Sequence, residues 1–371
     1  MIRLENLTKH FGPPSNPIVA VDNVNLDLPT GEICVLLGPS GCGKTTTMKM
    51  INRLIQPTSG KVYIDGRDTS ASDPIQLRRS IGYVIQQIGL FPNKTIEDNI
   101  CIVPDLLGWD RTKSRARAKE LLELVGLQPD LFLKRYPKEL SGGQQQRVGV
   151  LRALAADPPV MLMDEPFGAI DPINREVIQE EFLKMQKAIR KTIIFVSHDL
   201  DEAVKMADKI AIFRSGKLEQ FASPDELLAR PANSFIENFL GTDRALKRLR
   251  LVTVSKAMVP DFVPATREMP VAELCQRLNG SPVPAALVIS GDGVAEAIVD
   301  AEVIRTSDGT VADHARPVHA TVPVTADLRQ AVSLMLAHDM PVLPCVDEAG
   351  KVRGVMTFRS IVDNLGSGDE P

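Results

Sequence analysis

Apolar residues fall in short unbroken runs at 33–37, 160–163 and 192–196, the pattern of strands buried on both faces. Longer stretches with apolar positions at helical spacing lie between them, for example 114–125 and 175–189. The region from Met1 to about Gly241 therefore predicts an α/β fold built on a mainly parallel sheet. Its N-terminal part differs, because 2–7 and 18–28 alternate over short distances and predict a small antiparallel sheet packed to one side.

Beyond residue 241 the pattern changes. Residues 242–251 form a polar, helix-compatible stretch with Asp243, Arg244, Lys247, Arg248 and Arg250, after which Val, Ala and Pro become frequent. We read 1–241 as one domain, 242–251 as a linker and 252–371 as a second domain. The second domain repeats itself: Val263-Pro264-Ala265-Thr266 is echoed by Val322-Pro323-Val324-Thr325. Each copy continues into a helix (271–278; 328–337), a strand (286–289; 342–346), a glycine turn and another strand. Two such β-α-β-β-α units are expected to pack their sheets together, since neither alone buries its apolar face.

A length of 371 residues exceeds what one hydrophobic core usually organises, which suits a large domain followed by a smaller one. Lys+Arg 43 against Asp+Glu 47 gives a formal net charge of -4, and without a run of like charge this argues against nucleic acid as the principal partner. Cys34, Cys42, Cys101, Cys275 and Cys345 are scattered and odd in number, so we expect reduced thiols in a cytoplasmic chain. His314, His319 and His338 have no metal-ligand spacing. The N-terminus lacks an apolar signal region, and no segment approaches the roughly 20 apolar residues that cross a bilayer. Membrane association is expected to come through a protein partner.

Gly38-Pro39-Ser40-Gly41-Cys42-Gly43-Lys44-Thr45 fits the P-loop pattern, between an apolar strand at 32–37 and a helical stretch at 46–54. Its backbone N–H groups would curl around phosphate at a helix N-terminus, where partial positive charge accumulates. Lys44 would reach the β/γ-phosphates and the Thr45 hydroxyl would hold Mg²⁺. Residues 160–165 form an apolar strand ending in Asp164 and Glu165, a suitable acidic pair for the C-terminal edge of a parallel sheet. Asp164 would orient Mg²⁺ through water and Glu165 would polarise the attacking water. The alternative is a solvated strand end.

Leu140-Ser141-Gly142-Gly143-Gln144-Gln145-Gln146-Arg147, lying between these two motifs, resembles the signature of ABC ATPases. The resemblance covers residues 1 to about 240, taking in Phe11, the P-loop, Gln86, the signature, Asp164-Glu165, the turn Gly168-Ala169-Ile170-Asp171 and His198. It implies a P-loop nucleotide-binding domain with a RecA-like core, an antiparallel β subdomain and a helical subdomain. It also implies a homodimer that sandwiches ATP, the P-loop of one subunit facing Ser141 and Gly143 of the other, with Gly142 and Gln144 beside them. Nucleotide contacts are then expected from Gly38, Pro39, Ser40, Gly41, Cys42, Gly43, Lys44, Thr45 and Thr46, with Phe11 stacked on adenine. Glu165, His198 and Gln86 become the catalytic set, and Thr45, Gln86 and Asp164 the Mg²⁺ set. Gln87 is the neighbouring alternative to Gln86, but the family places its glutamine after Val84-Ile85. For Phe11 the other reading is a buried core residue. Cys42 is read as a small filler whose exposure before nucleotide binds makes it a target for thiol reagents.

The stretches 81–92 and 163–172 are similar to those of ATPases from quaternary-ammonium osmoprotectant importers, and the C-terminal repeat resembles a tandem CBS domain of α+β type. This implies a peripheral subunit on the cytoplasmic face of a bacterial membrane, working with a transmembrane permease and an extracytoplasmic binding protein to take up glycine betaine, choline or carnitine. Another polar cargo, or a soluble ABC ATPase outside transport, are the alternatives. The CBS pair would regulate transport through ionic strength or a small effector, or serve only to dimerise. Where nucleotide-binding CBS domains carry Asp, three residues after Thr357, this chain has Ser360.

Overall fold

Caps and glycines, more than apolar periodicity, set where the elements of this protein begin and end. The computed structural model describes residues 1–13, 15–86, 89–168 and 170–366. Pro14, Gln87, Ile88, Ala169 and residues 367–371 lie outside the described residues. The chain divides into two units, Met1–Leu227 with Pro231–Phe239, and Leu228–Arg230 with the residues from Leu240 onward.

The first unit's strands are β1 (Ile2–Phe11), β2 (Ile18–Leu28), β3 (Ile33–Leu37), β4 (Ser59–Ile64), β5 (Arg67–Asp68), β6 (Ile81–Val84), β7 (Val160–Asp164), β8 (Thr192–Val196), β9 (Lys209–Arg214) and β10 (Lys217–Ala222). Its helices are α1 (Lys44–Ile51), α2 (Pro74–Arg79), α3 (Ile96–Leu106), α4 (Arg111–Leu124), α5 (Pro129–Phe132), α6 (Gly142–Leu154), α7 (Pro172–Ile189) and α8 (Leu200–Met206), followed by α9 (Pro224–Ala229) and α10 (Ser234–Leu240), whose last residues count with the second unit. Six strands form one sheet in the order β10-β9-β3-β8-β7-β6, parallel from β9 to β6 with β10 antiparallel at the edge. The expected antiparallel sheet is present as β2-β1-β4-β5, and a shared core joins the sheets, with Leu4, Val24 and Val62 packed in one cluster with Leu36, Met48 and Leu162.

The strands at 33–37 and 192–196 match the sequence reading, whereas helix starts shift. The Asp110 carboxylate accepts the N–H groups of Thr112 and Lys113, so α4 starts at Arg111. Asp171 caps α7 through the N–H of Asn174, with Pro172 in the first turn. Both are N-cap choices that polar side chains make outside the apolar stripe. The helix after the P-loop begins at Lys44 and stops at Ile51, with Arg53 left-handed at φ 53° just beyond.

The second unit holds strands β11 (Val263–Ala265), β12 (Ala285–Ile289), β13 (Ala295–Asp300), β14 (Arg316–Pro317), β15 (Val322–Pro323), β16 (Val342–Val346) and β17 (Val352–Thr357). Its helices are α11 (Arg244–Arg248), α12 (Val254–Ala257), α13 (Val271–Leu278), α14 (Ala301–Ile304), α15 (Val311–His314), α16 (Leu328–Ala337) and α17 (Phe358–Gly366). Both copies show the β-α-β-β-α order, in sheets β11-β12-β13-β14 and β15-β16-β17. Ala285, Leu287 and Ile298 of one copy pack with Val342 and Val355 of the other, the sheet-to-sheet burial expected of the repeat. Residues 242–251, read as a linker, contain α11, and Leu249 lies in the core with Val322, Leu328 and Met356. Arg248 is buried and donates to the Leu365 carbonyl. The segment is therefore built into the second unit, because the Leu249 side chain and the Arg248 stem find cover there.

Candidate functional site

Strand order assembles the site. β3, β8, β7 and β6 run parallel and adjacent, so their C-terminal ends share one edge, where α/β sheets bind ligands. β3 delivers the 38–45 loop to that edge, β8 delivers Ser197 and His198, β7 delivers Asp164 and Glu165, and β6 leads to Gln86. Residues up to 160 positions apart in sequence meet there for no local reason.

In the loop, Gly38 and Gly43 have φ of 142° and 103°, and a Cβ on them would lie 2.2 Å from the Phe213 carbonyl oxygen and 2.4 Å from that of Ala20. Only glycine lets the loop close this tightly against β9 and β2. Pro39, Ser40 and Gly41 form an exposed rim. Lys44 is buried, and its Nζ donates to the carbonyls of Gly38 at 2.6 Å and Pro39 at 2.9 Å. Cys42 is not exposed as expected: it is 4 % accessible, with Sγ 3.6 Å from the Lys44 ammonium. Its packing against the loop takes the thiol out of reach, so the filler reading stands and the reagent-target reading falls.

Thr45, in the first turn of α1 ahead of Thr46, donates from Oγ1 to Oδ1 of Asp164 at 3.3 Å. Burial pushes the Asp164 carboxyl above the usual carboxylate range; the Thr45 hydrogen bond and the ammonium groups of Lys49 and Lys44 pull the other way, while Glu165 adds to the rise. Glu165 occupies the left-handed region at φ 47°, a conformation that costs a non-glycine residue about 1 kcal/mol or more. The backbone holds it there: its N–H donates to the Val196 carbonyl, and its own carbonyl accepts the Gly168 N–H. So aimed, Glu165 accepts at Oε2 from Gln86 Nε2 at 2.9 Å and lies 3.6 Å from His198 Nδ1 through Oε1. Behind it, fully buried Phe167 meets Phe182 of α7 and Phe195 of β8 edge-to-face at centroid distances of 5.8 and 6.3 Å, which anchors the turn.

The signature segment lies apart from this edge. Ser141 caps α6 reciprocally with Gln144, its N–H donating to Gln144 Oε1 at 3.0 Å while its Oγ accepts the Gln144 N–H at 3.3 Å. Ser141, Gly142, Gly143 and Gln144 line a cavity of about 260 Å³ with Asp171 and Asn174, and no hydrogen bond among the described residues joins them to the 38–45 loop. Phe11 is likewise not a core residue: it ends β1 with 40 % of its surface exposed and Lys9 Nζ 5.0 Å from its ring centroid. In the second unit Ser360 is buried, its Oγ accepting the Thr357 N–H while its N–H donates to Thr357 Oγ1. That hydroxyl caps α17 from within.

The arrangement that sequence reasoning missed is a set of links behind His198, made by Arg175, Gln179 and Glu202. These are polar side chains on two amphipathic helices, and nothing in their spacing pairs them.

Strand order and loop chemistry together put the first unit in the class of ATP-binding cassettes. The profile of the ABC transporter family matches residues 21–168, and that of the CBS domain matches 311–367. Over 99% of its length the chain is 53% identical to the osmoprotectant import ATP-binding protein OsmV of Salmonella typhimurium, covering 97% of that protein. It is 47% identical over 98% of its length to the glycine betaine/carnitine/choline transport ATP-binding protein OpuCA of Bacillus subtilis, covering 96% of it. The dimeric structure of MJ0796, a bacterial ABC transporter cassette, matches with a TM-score of 0.54 at 37% identity, over 60% of this chain and 98% of that one. The chain belongs to the ABC transporter family, among the ATP-binding proteins of osmoprotectant import systems. Its activity is ATP hydrolysis coupled to transport.

Proposed function

We propose that this chain energises the uptake of an osmoprotectant such as glycine betaine, choline or carnitine. It would act as a homodimer on the cytoplasmic face of a permease fed by an extracytoplasmic binding protein. The observation that carries the catalytic reading is the convergence of Gln86, His198 and Glu165 beside the loop of Lys44. No described helix is long and apolar enough to cross a membrane, so attachment through the permease supplies the contact.

In this reading ATP lies on the 38–45 loop, its phosphates accepting from loop N–H groups at the start of α1. Lys44 exchanges its bonds to the Gly38 and Pro39 carbonyls for β/γ-phosphate oxygens, and Phe11 stacks on adenine. Thr45, Asp164 and Gln86 offer the all-oxygen set that suits Mg²⁺, and the buried Asp164 beside Glu165 gains from a cation there. Mg²⁺, when bound, neutralises phosphate charge. Glu165 accepts a proton from the attacking water, Gln86 orients the Glu165 carboxylate, and His198 contacts the γ-phosphate. Ser141 and Gly143 of the partner subunit close over the nucleotide and exclude water.

The deciding experiment is uptake of radiolabelled glycine betaine into vesicles carrying this subunit, its permease and its binding protein. ATP-driven uptake is expected. Glu165→Gln should slow turnover by about 10²-fold or more while ATP binding stays within about threefold. Normal turnover in that variant removes Glu165 from the chemistry, and intact hydrolysis without uptake redirects the cargo assignment.

A further inference from the structure

Two polar links tie α7 to the segment that presents His198. The first begins at Ile170, whose carbonyl accepts from Arg175 Nη2 at 2.9 Å, while Arg175 Nη1 lies 3.6 Å from Asp199 Oδ2. The second lies one turn further along the same helix, as i,i+4 spacing places it on the same face. There Gln179 Nε2 donates to Glu202 Oε1 at 3.0 Å, and Glu202 Oε2 accepts from Ser197 Oγ at 2.5 Å. Ser197 Oγ in turn accepts the Asp199 N–H at 3.0 Å. Both sequence neighbours of His198 are thus held from α7.

The burial of this network is the telling feature. Gln179 is 4 % and Glu202 7 % exposed, and burial pushes the Glu202 carboxyl up against the pull of its Ser197 and Gln179 hydrogen bonds. An apolar pair of similar volume would pack two helices at least as firmly without desolvating a carboxylate, so helix packing does not account for it. His198 itself has a side chain 65 % exposed, with Glu165 Oε1 3.6 Å from its Nδ1. Its placement therefore comes from its backbone, which these links define. At the other end, Ile170 and Asp171 line the cavity of Ser141 and Gly143, so the links run from the signature side of the cassette to the hydrolytic edge.

We propose that Arg175, Gln179 and Glu202 are positioning residues for hydrolysis, transmitting the seating of Ile170 and Asp171 through α7 to the Ser197-His198-Asp199 segment so that His198 is set for turnover. The inference rests on the role given to His198 above. Turnover and ATP affinity of the full-length chain, in single variants and in the His198→Ala background, test it. Glu202→Ala and Gln179→Leu should each lower kcat by about tenfold or more with KM for ATP within about twofold, since the links touch no nucleotide contact. Glu202→Gln, which can still accept from Ser197, should recover at least about a third of wild-type turnover. In the His198→Ala background, Glu202→Ala should cost less than about a further twofold, because residues acting through one group are not additive. Full compounding of the two losses, or a raised KM at unchanged kcat, overturns the proposal. Should Glu202→Ala not fold, Arg175→Gln from its part-exposed position supplies the same comparison, with the same results expected and the same results fatal to the proposal. Wild-type turnover in His198→Ala alone overturns the role of His198 itself, a result read before any α7 variant is made.

Discussion

At the residue scale, the site depends on backbone conformations that side chains ordinarily avoid. Gly43 at φ 103° sits where an added Cβ would lie 2.4 Å from the Ala20 carbonyl oxygen. Gly43→Ala should therefore push the loop off β2, costing about 1–3 kcal/mol of stability and reducing ATP affinity by about 10²-fold. Thermal unfolding and equilibrium ATP binding measure the two effects, and an unchanged affinity would show that the loop tolerates the shift. Glu165 is the converse case, a glutamate held at φ 47° by Val196 and Gly168 with its carboxylate between Gln86 and His198. The thiols are at the other extreme: burial pushes Cys345 up to about 12, and burial with the nearby acids does the same to Cys101, so neither offers a thiolate near neutral pH.

At the element scale, α11 decides where the second unit starts. A chain ending after residue 251 would keep Leu249 and Arg248 while losing the Val322, Leu328 and Leu365 that cover them, whereas one ending after Gly241 omits α11 entirely. The shorter chain should be the more soluble and monodisperse, because stripping cover from buried apolar groups creates an adhesive patch. Size-exclusion chromatography of the two truncations checks this, and equal behaviour would mean that α11 needs no cover. Helix α6 makes a related point, since the reciprocal Ser141–Gln144 cap fixes its first turn and thereby the cavity beside Asp171.

At the scale of the whole molecule, the second unit, whose residues 311–367 match the CBS domain, bears on the regulation that its resemblance implies. Ser360 is engaged in capping α17, and the readings of this unit are control through surface charge or a small effector, or dimerisation alone. Removing residues 242–371 should leave ATP binding within about twofold and abolish any rise of uptake with internal salt, since screening acts on the removed surface. Uptake that keeps its salt response without these residues places the sensor elsewhere. Much of this organisation was legible in the sequence. The runs 33–37 and 192–196 read as buried strands, the P-loop lay between a strand and a helix, and the repeat after residue 252 announced paired sheets, because strand burial, turn chemistry and repetition are local or periodic properties. Strand order was not local. That β8 lies between β3 and β7, and β6 on the other side of β7, bringing His198 and Gln86 to Glu165, was decided by packing among segments far apart in sequence. So were the burial of Cys42, the absorption of 242–251 into a core, and the Arg175 and Glu202 links. Each depends on which surfaces meet, and a side chain's neighbours across a fold leave no period along the chain.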